Sequence, residues 1–303
     1  MFKNLTDKLK RKTQSDFFII EDGKFLQYLG NEEKVIIPDG VKSIGSNAFP
    51  NRSIVDVILP ESVKCIDENA FVACNKLINI NLENVITIDR QAFAGCKNLL
   101  NINLSKDVCI NGNPFHGCDS LSNKDGMLVI KGVLYNYCGN EEKVVIPNNV
   151  TRISEAAFDM CSSIKHLEIP QSINYIERCV FAYCENLVDV VMADGDGIIF
   201  EDSIFSGCKN LEKIVLPKGC SKISESMFIF CEKLKHIDIP ETVSEIGKDA
   251  FAYSENLKIV IPESVTLINP FAFAYSKKLT ICGKVGSKAE QYAISKKKIF
   301  QPI

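Results

Sequence analysis

Only three histidines, His116, His166 and His236, occur in 303 residues. No G-x-S-x-G, H-E-x-x-H, P-loop or dinucleotide fingerprint accompanies them, so no catalytic residue is expected. There is no C-x-x-C pair despite thirteen cysteines, which removes the usual zinc spacing. Charge of one sign is also missing. The 35 basic and 38 acidic residues leave a net charge of -3, with no long-range field to draw in nucleic acid. No segment approaches the roughly 18 uninterrupted apolar residues of a membrane span. The basic opening MFKNLTDKLKRKTQSDFFII lacks the apolar core of a secretory signal. As written, the chain is expected to be cytoplasmic, with no transmembrane segment, cofactor, metal or nucleic-acid partner.

What is present is a repeat. Phe49, Phe71, Phe93, Phe115, Phe158, Phe181, Phe205, Phe228, Phe251 and Phe273 recur 22 to 24 residues apart, with one double-length step. Such self-similarity means one supersecondary unit stacked many times, each burying its apolar edge on its neighbours. In VKCIDENAFVACNKLININL, Val63 to Leu82, the Leu77-x-x-Ile80-x-Leu82 ending alternates as a strand with one face in a core. The preceding Asp67 to Cys74 segment has the offsets of one short helical turn after an acidic start. Many strands end in Ile-Pro or Leu-Pro, as at Leu59-Pro60 and Ile169-Pro170, where proline stops the ladder and sets a corner.

Cys74, Cys96, Cys118, Cys161, Cys184, Cys208 and Cys231 each fall three residues after a column phenylalanine. Coils whose strands pair lie roughly 4.8 Å apart, and side chains in one column point the same way. Their Cβ atoms therefore do not converge to the ~3.8 Å of a disulfide. The ladder is read as buried small hydrophobes.

The double step holds DGMLVIKGVLYNYCGNEEKVVIP, whose ending nearly copies the earlier GNEEKVIIP. Each copy follows a hairpin signal, with strands at Phe17 to Ile20 and Lys24 to Leu29, then at Met127 to Ile130 and Val133 to Tyr137. The first hairpin is expected to cap the stack; the second interrupts it and is placed to project from it.

The joint motif V-x-x-I-x-x-x-A-F-x-x-C-x-x-L-x-x-I-x-[IL]-P resembles the BspA-like class of leucine-rich repeats, with matches from about Val35 to Ile281. The resemblance implies a leucine-rich repeat solenoid, a right-handed superhelix that is mainly β. Its parallel strands stack coil on coil with short helical turns. The tail LTICGKVGSKAEQYAISKKKIFQPI resembles the family's C-terminal cap, with a capping helix near Ser287 to Lys297. The expected layout is a basic tail or helix over 1–14, one solenoid over 15–283 with hairpins near 17–29 and 127–137, and a cap over 284–303. Phe2, Leu5 and Leu9 among the N-terminal basic residues form a short amphipathic segment, read as a cap-packing or frayed helix.

Outward residues follow from the strand alternation. They are Asp56, Asn79, Asn81, Asn101, Asn103, His166, Glu168, Asp189, Lys213, His236 and Asp238, with Val191 and Val215 beside them. His166 and His236 each precede an acid by two residues but lie three coils apart, about 15 Å, too far for one ion. Asp194, Asp196, Glu201 and Asp202 around ADGDG are read as a polar turn, since the bidentate Glu of a calcium loop is absent. The sequons at Asn4, Asn51, Asn103 and Asn149 carry no meaning without a secretory route.

The resemblance implies a non-catalytic scaffold for protein binding or adhesion, at the cell surface or secreted. The chain is expected to be a monomer with a host-matrix or cytosolic protein as partner. The alternative is a glycan-binding or catalytic module using His and acidic residues of the same face.

Overall fold

The computed structural model describes residues 14–50, 52–195 and 197–303. The amphipathic N-terminal segment lies outside the described residues. The chain divides into two compact units, one ending at Leu121 and one beginning at Ser122. Both are parallel β-solenoids, and each typical coil carries two short strands rather than one.

In the first unit one sheet joins Lys34–Ile36, Asp56–Ile58 and Asn79–Ile80, which are the expected Leu-x-x-Ile-x-Ile strands. A second sheet stacks Ser43–Ile44, Cys65–Ile66, Thr87–Ile88 and Cys109–Ile110. These two-residue strands close the V-x-x-I part of each coil. Two residues are too few to show a period, so alternation alone does not reveal them. Proline sits at the corner between them: Val63 N donates to Pro60 O at 3.1 Å, a turn that needs no proline N–H.

The second unit repeats this plan. Lys143–Val145 opens an eight-stranded sheet that ends with Thr280–Gly283 and Ile299–Pro302. Arg152–Ile153, Tyr175–Ile176 and Ile199–Phe200 continue the other sheet.

Each unit opens with a hairpin, Phe18–Glu21 with Lys24–Tyr28 and Met127–Ile130 with Val133–Tyr137. Both turns place two residues at positive φ, Asp22 and Gly23 at 51° and 79°, Lys131 and Gly132 at 50° and 78°. This is the primed-turn geometry that matches strand twist. The second hairpin does not project. Leu134 pairs in parallel with Ile153 and is fully buried, because its inner strand takes the place of a coil's second strand.

Between Asp67 and Cys74 the chain makes successive i to i+3 turns, Ala70 N to Asp67 O, Val72 N to Asn69 O and Cys74 N to Phe71 O. Asn69 and Ala73 are left-handed, at φ 60° and 56°. Their alternation turns other N–H groups along the axis, so Asn69, Phe71 and Ala73 donate to Arg90, Ala92 and Ala94 of the next coil. A continuous helix would keep those bonds within itself.

The phenylalanines form the core. In the first unit Phe49, Phe71, Phe93 and Phe115 stack at 4.7, 5.1 and 5.8 Å. In the second, Tyr137 begins a column that runs through Phe158 to Phe273 and ends edge-on against Tyr292 at 5.6 Å. Tyr292 belongs to the capping helix Lys288–Ser295, which also buries Ala289 and Ala293. Each buried ring is worth about 1.5–3 kcal/mol by area alone.

The cysteine ladder has a partner that spacing could not show. Each thiol points at the carbonyl of the preceding coil's aromatic residue: Cys96 at Phe71 O and Cys208 at Phe181 O, both 3.1 Å. Ser276 makes the same bond to Phe251 O at 2.9 Å, so a hydroxyl takes the thiol's place there, whereas the buried Ser254 hydroxyl in the same column has no partner among the described residues. Burial pushes the Cys74 and Cys118 thiols up to about 12, so they stay protonated donors. Cys208→Ser should therefore change stability by less than about 1 kcal/mol, while Cys208→Ala should cost about 1–2 kcal/mol, because the space left by the sulfur adds to the loss of the second bond on Phe181 O, which Cys184 N still meets at 3.3 Å. Denaturant titration of the two variants checks this; equal costs would contradict the donor role.

Candidate binding face

The first-unit sheet carries Lys34, Asp56, Asn79 and Asn101 in one outward column, Asn101 through an isolated bridge to Asn79. Asn79 Nδ2 donates to Asp56 Oδ1 at 2.7 Å, so these two groups partly satisfy each other. Asn81 differs. Its amide accepts from Leu59 N at 2.7 Å and donates to Leu59 O at 2.9 Å, replacing the ladder where Pro60 ends the strand. That side chain is engaged by the fold. Asn101 and Asn103 are exposed and line an open groove of about 510 Å³ with Lys34, Asp56, Asn79 and Glu83.

The second-unit sheet carries Lys143, His166, Asp189, Lys213, His236 and Lys258 in one column. The neighbouring outward column is Val145, Glu168, Val191, Val215, Asp238 and Val260. Strand burial patterns such as eBiB over His166–Ile169 show why: alternate residues enter the core and leave the intervening ones outside. Many of the charges pair across or along strands. Lys143 Nζ meets Glu168 Oε1 at 2.7 Å, His166 Nδ1 meets Asp189 Oδ2 at 2.5 Å, and His236 Nε2 meets Asp238 Oδ1 at 2.9 Å. The bond to Glu168 raises the Lys143 ammonium above its ordinary range.

A reading centred on polar residues leaves out Val145 and underweights Val191 and Val215. These are 52%, 50% and 46% exposed, in a column that also holds Glu168 between Val145 and Val191 and Asp238 after Val215. The signal for them is the second outward position of K-V-V, D-V-V and K-I-V.

On the opposite sheet, Arg152 binds the buried Glu177 carboxylate at 2.6 Å and covers the Tyr175 ring at 4.9 Å. Tyr175 Oη donates to Glu201 at 2.5 Å. This network is internally satisfied and ties three coils together. In the ADGDG turn, Asp194 accepts from Lys218 N at 3.1 Å and pairs with Lys218 Nζ at 3.0 Å, and the backbone bond first, then the ammonium, holds its carboxyl below the usual range. Asp196 lies outside the described residues. No helix among the described residues is long and apolar enough to cross a membrane.

Stacked coils with two parallel sheets, an aromatic column and a capped end define a leucine-rich repeat solenoid. The BspA type leucine rich repeat region matches residues 19–127 and 128–258 in six copies, and the chain belongs to that family. Three solved structures are similar to it. A leucine-rich repeat protein from Bacteroides ovatus ATCC 8483 has 22% identity over 94% of this chain and 97% of that one, with a TM-score of 0.47. A leucine rich cell surface protein from Faecalibacterium prausnitzii A2-165 has 25% identity over 91% and 95%, with a TM-score of 0.45. The T. pallidum leucine rich repeat protein has 26% identity over 67% and 92%, with a TM-score of 0.39. No match emerges among proteins of curated function.

Proposed function

We propose that the protein is a non-catalytic scaffold that binds a partner protein through the second unit's long sheet. The observation that carries this reading is the exposed pair Val191 and Val215, with Val145 beyond Glu168 in the same outward column, beside a charged column. These β-branched side chains have little to hold in place within their own unit, yet they supply apolar area at low entropic cost to a partner. The flanking His166–Asp189 and Lys143–Glu168 pairs would set register rather than affinity.

The test is affinity capture with the native protein and with a Val191→Glu, Val215→Lys double variant. Extracellular matrix and cell lysate are both used, so that extracellular and intracellular partners are distinguished. Captured protein should bind the double variant at least about tenfold more weakly, with circular dichroism unchanged. Undiminished capture would remove the sheet from consideration. A glycan reading finds support in the neutral amides of Asn101 and Asn103 in the first-unit groove. Glycan binding abolished by Asn101→Ala with Asn103→Ala would favour it.

A further inference from the structure

The turn side of the second unit carries a stripe that neither its core nor its sheets require. Two residues past a column phenylalanine, the backbone is left-handed at nine described positions. In the first unit these are Ala73, Gly95 and Gly117; in the second they are Met160, Tyr183, Gly207, Phe230, Tyr253 and Tyr275. Glycine adopts this conformation freely, whereas bulky L-residues do so against steric strain.

The backbone job is the same at Ala73, Gly95, Met160, Tyr183, Gly207, Phe230 and Tyr253, whose N–H groups each donate to the next coil. Gly95 N donates to His116 O and Gly207 N to Ile229 O at 2.8 Å, as Phe230 N does to Ala252 O and Tyr253 N to Ala274 O at 3.0 Å. Glycine therefore suffices for the fold at this position. Strained, bulky residues kept where glycine works point to a role outside folding.

Their arrangement says what kind of role. Phe230 stacks on Tyr253 at 4.4 Å and Tyr253 on Tyr275 at 4.8 Å, with ring planes within 21° and 16° of parallel. All three rings are exposed, Tyr275 by 73%. Upstream, the Tyr183 ring lies across Gly207, 2.6 Å from where a Cβ would stand. Tyr253 thus spends both faces on its neighbours, while Phe230 and Tyr275 each keep one face outside the stack, and all three turn an edge outward. A row of ring edges suits apolar side chains or the faces of a partner's aromatics, the edge-to-face arrangement, and the charged flanks favour a peptide over a neutral sugar.

The flanks add charge in a fixed order. A groove of about 520 Å³ beside the stripe is lined by Glu232 and Glu255 next to Phe230 and Tyr253, and by Lys277 and Lys298 next to Tyr275. Lys298 Nζ is engaged by Ser276 O at 2.7 Å, but among the described residues Glu232, Glu255 and Lys277 enter no ion pair.

We propose that this stripe is a second recognition surface, separate from the sheet, for an extended segment of a partner protein. The segment sets a large apolar or aromatic side chain on the ring edges, with a basic residue toward Glu232 and Glu255 and an acidic one toward Lys277.

The test is selection of displayed random dodecapeptides on the full chain. The comparison is a Phe230→Gly, Tyr253→Gly, Tyr275→Gly variant, whose glycines fit the left-handed backbone and should not lower the unfolding midpoint. Enriched peptides should combine an aromatic or large aliphatic residue with flanking charges of both signs. They should bind the glycine variant at least about tenfold more weakly. Charge reversal at Glu232→Lys with Glu255→Lys, rings intact, should shift enrichment from basic to acidic residues. No enrichment, equal binding to the glycine variant, or indifference to charge reversal would overturn the proposal. So would glycan-array binding, or self-association by sedimentation, that depends on the three rings while peptides do not bind.

Discussion

Phe181→Ala is expected to lower the unfolding free energy of the second unit by about 3–5 kcal/mol, the range for emptying a large aromatic from a core. Phe181 is fully buried, and its ring lies 5.0 Å from Phe158 and 5.3 Å from Phe205. Neighbouring rings cannot slide into the gap, because parallel strands such as Tyr175–Ile176 and Ile199–Phe200 hold the coils at fixed spacing. The cavity therefore persists and its full cost is felt. Phe181→Leu, which keeps most of the volume, should cost about 1–2 kcal/mol. Denaturant titration of both variants gives the comparison. Hydrogen exchange adds a second readout, since in a stack each coil is stabilised by its neighbours and protection should fall first on the coils around Phe181. A cost for Phe181→Ala below that of Phe181→Leu would contradict the stacked column.

Gly126→Ala is expected to cost about 2–5 kcal/mol, combining left-handed strain of about 1–2 with overpacking of about 1–3. Gly126 has φ +76°, and an added Cβ would stand 2.4 Å from Gly139 N and 2.6 Å from Gly139 Cα. Those are backbone atoms, and Cys138 N already donates to Gly126 O at 2.9 Å, so the hairpin's base has no room to relax. Gly40 provides the control. Its φ is +86° and nothing lies within 4 Å of where its Cβ would stand, so Gly40→Ala should show only the backbone cost, about 1–2 kcal/mol. Thermal or denaturant unfolding of the two variants separates strain from collision, and equal costs would remove the close approach as the cause.

Much of the architecture is legible in the chain's order of residues. The phenylalanine period marks the core column because a stacked coil must bury the same position each time. The D-G and K-G pairs mark both hairpins, since primed turns need positive φ at both central residues. Alternation in H-L-E-I and K-I-V places His166, Glu168 and Lys213 outward, as the strands show. The two-residue strands such as Cys65–Ile66 are not readable this way, because they are shorter than one full alternation.

Side-chain partners are hidden for a different reason: they lie a full coil away. That Asn81 is held by Leu59 and Cys208 by Phe181 depends on which atoms face each other 22 and 27 residues apart in sequence. The stripe of Phe230, Tyr253 and Tyr275 reads as ordinary apolar content until the left-handed backbone turns it outward. Residue order alone marks the repeat, its core column and both hairpin turns, because these follow from local propensity and burial period, while the cap is legible through the family resemblance. Which polar groups the fold engages and which apolar ones remain on the surface is set in the folded stack, because backbone handedness and neighbouring coils set the direction of each side chain.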